Sequence, residues 1–167
     1  MNYLRKKTVE ALFKSYTRGM YNICLRMTGN KQDAEDVLQD AFFQAYVNID
    51  KLRSFDSFGS WIKKIVVNQS IKFLRSRVLF LDIETVNQEF EDIPGDEIGE
   101  YPMEEINKCI RELPDGCRIV FNLYLLENYS HKEIAEMLNI SESTSKSQYQ
   151  RARQLLQKKL KSKQVYG

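Results

Sequence analysis

The chain has 167 residues, of which 43% are hydrophobic and 29% charged, with a formal net charge of +2 at pH 7; one medium globular domain or two small ones is expected. No apolar run approaches the roughly 18 residues that a bilayer span needs, and the first residues lack the apolar segment of a secretory signal. The three scattered cysteines, Cys24, Cys109 and Cys117, and the single histidine, His131, fit neither a disulfide framework nor a metal-ligand spacing, so a reducing cytoplasm is the expected setting.

The chain reads as almost entirely helical, with strand-type alternation absent. Val9, Leu12, Phe13, Tyr16, Met20, Ile23, Cys24 and Met27 recur at helical spacing after Thr8, which is expected to be the N-cap, and Gly29 ends the run. Ala34, Val37, Leu38, Ala41, Phe42, Ala45 and Ile49 make a second apolar stripe. A polar turn with Asp56 and Ser57 precedes a third long helix, from about Phe58 to Arg77. Residues 1–81 thus form a small helical bundle. They carry 14 Lys/Arg against 7 Asp/Glu, whereas residues 82–105 hold 10 acidic residues and no basic one. With Pro94, Gly95, Gly99 and Pro102, the segment 82–102 reads as an acidic flexible linker, which simple solvation would equally explain.

Residues 103–167 form the second block, again with an excess of basic residues, as polyanion partners require. Ile106, Cys109, Ile110 and Leu113 make a short helix ended by Pro114, and Ile119, Val120, Leu123, Tyr124 and Leu126 another, closed by a left-handed Asn128. Ser130 and Glu133 form a capping box ahead of Ile134, Ala135 and Leu138. Asn139 suits the left-handed turn, Ile140 packs it, and Ser141 caps a last helix whose Tyr149, Ala152, Leu156 and Leu160 face inward.

Two capped helices joined by a three-residue turn are a helix-turn-helix, whose second helix lies in the DNA major groove with its N-terminal residues near base edges and phosphates. Small side chains there allow close approach: Ser143, Thr144 and Ser147 can donate to phosphates, and Lys146, Gln150 and Arg151 can reach bases or backbone. A merely solvated amphipathic helix is the bland alternative.

On the second helix, Asp36, Gln39, Asp40 and Phe43 share one row opposite the apolar stripe. Carboxylates beside an exposed aromatic fit a basic protein partner. Asp33, Glu35, Asp36 and Asp40 could instead hold a divalent cation, but no histidine or second acidic cluster supplies the convergent ligands.

These segments together resemble a bacterial extracytoplasmic-function (ECF) sigma factor of the sigma-70 family. The resemblance spans about Leu12 to Leu160. DAEDVLQDAF is similar to the helix that docks on the clamp coiled coil of the largest RNA polymerase subunit. FGSWIKKIVVNQSIKFLRSR is similar to the segment that opens and reads the promoter −10 element, and LPDGCRIVFNLYLLENYSHKEIAEMLNISESTSKSQYQRAR to the −35-reading domain.

The resemblance implies an all-α fold of two small domains: residues 1–81 for polymerase binding and −10 recognition, and residues 103–167 for −35 recognition. It places Asp36, Gln39, Asp40 and Phe43 against polymerase. It places Asn68 where the family helps hold a flipped-out base, with Gln69, Lys72, Phe73, Arg75 and Arg77 on the same helix. Phe55, on the preceding loop, is the better candidate for touching an unstacked base; Trp61 is a melting aromatic or a core residue. Lys146, Ser147, Gln150 and Arg151 match the −35 recognition helix. The chain departs from the family's frequent pattern at Ser145, where a packing valine is common, and at Gln148, where a basic residue is common.

The implied partners are RNA polymerase core, promoter DNA and an anti-sigma factor of a kind that can be membrane-anchored. No nucleophile–base arrangement is present in the sequence, so no enzyme activity, cofactor, metal or small-molecule substrate is expected. The rival reading is a free-standing helix-turn-helix transcriptional regulator, which would have no need of the DAEDVLQDAF helix.

Overall fold

A computed structural model describes residues 3–77 and 101–166. Most of the acidic segment expected as a linker lies outside the described residues. Those described form seven α-helices with short 3-10 and π turns and no strand, in two units, Met1–Leu74 and Arg75–Gly167.

In the first unit, α1 spans Tyr3–Thr28, α2 Lys31–Val47 and α3 Phe58–Arg75. Helix α1 begins earlier than its sequence predicts. Thr8 is not its N-cap: the Thr8 hydroxyl donates to the Leu4 carbonyl at 3.0 Å, one turn back, so the helix runs through it. Gly29 ends α1 at φ 84°, and its N–H donates to Leu25 O at 2.9 Å. Asn30 then caps α2: its side-chain oxygen accepts the Asp33 N–H at 2.9 Å while its amide donates back to the Asp33 carboxylate at 2.7 Å. Helix α2 buries Ala34, Val37, Ala41 and Ala45, a small-residue stripe that lets α1 lie close.

Two 3-10 turns, Ile49–Lys51 and Phe55–Ser57, lead into α3, the second capped by the Ser54 hydroxyl. Helix α3 buries Phe58, Ile62, Val66, Val67, Ser70, Ile71 and Leu74. Phe58 anchors it: its ring meets Phe13 at 5.2 Å, Tyr16 at 5.4 Å and Trp61 at 5.9 Å. A Cβ at Gly59 would stand 2.7 Å from the Tyr16 hydroxyl, so any larger residue there would make that side chain shift. The Cys24 thiol, buried between these helices, has its pKa pushed up to about 12 by burial and is chemically quiet.

In the second unit, α4 spans Met103–Arg111, α5 Asp115–Phe121, α6 His131–Leu138 and α7 Glu142–Tyr166. Prolines 102 and 114 stand at the N-caps of α4 and α5, where a missing N–H costs nothing. The buried Arg118 is satisfied by Leu113 O at 3.0 Å and by the Asp115 carboxylate at 2.6 Å. After Phe121 the helix widens into a π turn over Asn122–Leu126, closed by Glu127 N–H on Asn122 O at 3.0 Å, before Asn128 turns the chain at φ 59°. The core joins Ile106, Cys109, Ile110, Leu113, Cys117 and Phe121 to Ala152, Leu156 and Leu160 of α7.

Candidate nucleic-acid interface

Three surfaces collect the residues singled out in the sequence. The first is on α2. Asp36, Gln39, Asp40 and Phe43 are all exposed and occupy one row opposite the buried alanines. The row continues further than the sequence reading carried it. Val47, one turn beyond Phe43, is 61% exposed, and Tyr46 beside it is 48% exposed, so the acidic row ends in an apolar tip with Phe43 at 64%. The i, i+4 step from Phe43 to Val47 was the signal available for it. No group of His, Cys, Asp or Glu among the described residues is arranged to hold a metal ion.

The second surface is on α3 and the turn before it. Asn68, Lys72 and Arg75 are exposed along one helical row, and Lys64, one turn before Asn68, extends it as a further cation. Gln69 and Phe73 lie half-buried at the margin of the core-facing side, and Arg77 lies in the exposed turn after the helix. Phe55 is 40% exposed on the 3-10 turn. Trp61 is half-buried against Phe58. This is a positively charged, amide-bearing row with an aromatic on the loop that precedes it, chemistry suited to a nucleic-acid strand.

The third surface is the start of α7. Ser130 and Glu133 close a complete capping box at α6, Asn139 turns at φ 54°, and the Ser141 hydroxyl accepts the Thr144 N–H at 3.0 Å. Ser143, Lys146 and Arg151 are exposed, and Ser147 and Gln150 are half-exposed on the same side. Thr144 departs from the sequence expectation: it is 8% exposed and its hydroxyl is paired with Ser141 at 2.8 Å, so its side chain serves the cap and not an outer surface. Lys146 reaches the Glu142 carboxylate at 3.4 Å, but both are largely exposed, so this pair is weak and a phosphate can replace the carboxylate. The Ser147 hydroxyl donates to Ser143 O at 3.0 Å, one turn back along α7.

Beneath this turn, the His131 ring stacks on Tyr124 at 4.2 Å and faces Tyr149 edge-on at 5.8 Å. Its pKa lies below the ordinary 6.5, chiefly because burial disfavours the charged ring and secondarily because Lys146 repels it, with Glu142 opposing. A histidine with a depressed folded pKa binds its proton more readily in the unfolded chain, so its stability effect is unfavourable as pH falls below about 6.5 and constant above. The amide protection of α6, corrected for intrinsic exchange, is therefore expected to drop between pH 7.5 and pH 5.5. The drop is expected to vanish in His131→Phe.

Comparison with known proteins agrees with this layout. The sequence-family model of sigma-70 region 2 matches residues 12–79, and that of sigma-70 region 4 matches residues 103–156. The chain is 34% identical to the ECF RNA polymerase sigma factor SigW of Bacillus subtilis, over 87% of this chain and 85% of that one. It is 27% identical to the ECF RNA polymerase sigma-E factor of Haemophilus influenzae, over 93% and 88%. Its fold is similar to that of the sigma factor RpoE of Bartonella quintana, solved with the anti-sigma factor NepR, with a TM-score of 0.55 at 22% identity, covering 93% of this chain and 98% of that one.

Proposed function

Since the chain belongs to the ECF RNA polymerase sigma factors, we propose that its first unit binds polymerase core and the −10 strand and its second reads the −35 element. The chain directs core polymerase to promoters. In this division, Asp36, Gln39, Asp40 and Phe43 meet the clamp of the largest subunit. Phe55, Asn68, Gln69, Lys72, Phe73 and Arg75 take the melted −10 strand. Ser143, Lys146, Ser147, Gln150 and Arg151 take the −35 duplex, with Thr144 acting through the cap. The acidic residues between the units tether them. Bond-forming chemistry belongs to the polymerase, and the chain contributes binding alone. An anti-sigma factor is the proposed third partner, as NepR is for the Bartonella quintana relative.

The observation that carries this reading is the exposed α2 row coexisting in one chain with a helix-turn-helix. A free-standing regulator uses only the latter and would pair on a palindrome. Opening duplex DNA costs on the order of 1–2 kcal/mol of stacking per step. Capture of an extruded base by the Asn68 region, with charge contacts from Lys72 and Arg75, offsets that cost without covalent chemistry.

The −35 assignment is tested on α7. Gln150→Ala is expected to cost about 1–3 kcal/mol on the cognate promoter and to relax preference at one −35 position. Lys146→Ala is expected to weaken all promoters alike and to reduce the salt slope by about one unit. Selection from a randomised −35 library with each variant measures both. Full retention of preference in Gln150→Ala would remove α7 as the reading element at that position.

A further inference from the structure

The turn of α7 offered to DNA stands on a buried polar layer. Ser145 is 0% exposed and Gln148 5% exposed, although both are hydrophilic and belong to the reading helix. Each has a partner on another helix of the same unit. The Ser145 Oγ lies 2.8 Å from Nδ1 of His131, in the first turn of α6, and the Cys117 thiol of α5 donates to the Gln148 side-chain oxygen at 3.1 Å. The His131 ring has little freedom of its own. Its plane lies 12° from that of Tyr124 in a stack, and Tyr149 of α7 closes it edge-on. Ser130, immediately before it, is fixed by the capping box.

This arrangement has a consequence for α7. A buried hydroxyl left without a partner carries its full desolvation penalty. Alongside the core contacts of Ala152, Leu156 and Leu160, this penalty favours the rotation of α7 that brings Ser145 to a ring already fixed by its neighbours. Lys146 and Ser147 follow Ser145 directly in the chain, and Gln150 lies one turn beyond Lys146. A turn of α7 about its axis would displace all three together.

We propose that the His131–Ser145 hydrogen bond is a specificity-determining positioning contact, which sets the rotation of the first turns of α7 and so decides where Lys146, Ser147 and Gln150 meet a base edge. The proposal rests on the reading of α7 as the −35 element reader. His131 touches no DNA in it and acts only through Ser145.

Two full-length variants, each assembled with core polymerase, test it. His131→Phe keeps an aromatic ring on Tyr124 and removes the hydrogen bond. His131→Asn gives up the stack but returns a hydrogen-bonding group near the position of Nδ1. The readout is the ratio of affinities for the cognate promoter and for one with a scrambled −35 element, at a temperature where each variant is fully folded. A purely structural role lowers the melting temperature and leaves that ratio unchanged. The positioning role predicts a ratio reduced about tenfold in His131→Phe, unchanged affinity for scrambled DNA, and recovery of most of the ratio in His131→Asn. An unchanged ratio in His131→Phe, or equal loss in both variants, overturns the proposal. If His131→Phe does not fold, Ser145→Ala gives the same reading from the other side of the bond, with a reduced ratio expected and an unchanged one overturning the proposal. A wild-type holoenzyme without any −35 preference would instead overturn the assignment of α7 itself.

Discussion

Phe58→Ala is expected to destabilise the N-terminal unit by about 3–5 kcal/mol, the usual cost of emptying a fully buried phenylalanine site. Phe58 is 0% exposed and contacts rings from α1 and from its own helix. Rigid aromatic neighbours collapse poorly into the space a ring vacates, which puts the cost toward the upper part of that range. A domain is typically stable by about 5–15 kcal/mol in all, so a loss of this size removes a large fraction of the unit's stability. Trp61, the only tryptophan of the chain, lies 5.9 Å from Phe58, so its fluorescence reports this unit and not the other. Urea titration followed at tryptophan emission should show the midpoint collapse. A loss below about 1 kcal/mol, the range of a surface change, would mean that the aromatic cluster is not the anchor of α3.

Asp40→Lys is expected to lower affinity for core polymerase tenfold or more, since reversing one charge of a close interfacial pair exchanges attraction for repulsion. Asp40 is exposed on the side of α2 opposite Ala34, Val37, Ala41 and Ala45, and lysine is a good helix former, so the fold should hold. Titration of labelled chain with core, at two salt concentrations, makes the measurement. The defect should shrink as salt rises, because screening weakens the introduced repulsion. Unchanged affinity in a folded variant would remove Asp40 from the docking surface. The apolar end of the same row, Phe43 and Val47, would then have to carry it.

The features that sequence reading located well are those set by local chemistry. Gly29, Asn128 and Asn139 all take positive φ because each ends a helix where a left-handed residue is required. Ser130 with Glu133, and Ser141, cap what they precede because a hydroxyl and a free N–H three residues on need only each other. Thr8 misled for a related reason: the hydroxyl that could cap a helix can equally bond one turn back within it, and only the preceding turn decides. The π turn over Asn122–Leu126 has no local signature in the sequence. Thr144, Ser145 and Gln148 look outward by composition and are buried by packing. Their signal was present in the spacing, because the inward series Leu156, Ala152 continues back through Gln148 and Ser145. What could not be read was the partner of each, His131 being 14 residues away and Cys117 31 residues away.

Promoter-directed transcription with purified components decides whether the chain acts as a sigma factor. Core polymerase, which lacks promoter selectivity without a sigma factor, is mixed with this chain and a library of promoter-length templates, and transcript start sites are mapped. Starts are expected to cluster at a fixed distance downstream of one shared pair of −35 and −10 elements. This clustering is expected to be lost with Asp40→Lys and shifted in −35 preference with Gln150→Ala. Starts that stay scattered when the chain is added, together with binding of the chain alone to a palindromic site, would contradict that role and return the protein to the class of free-standing helix-turn-helix regulators.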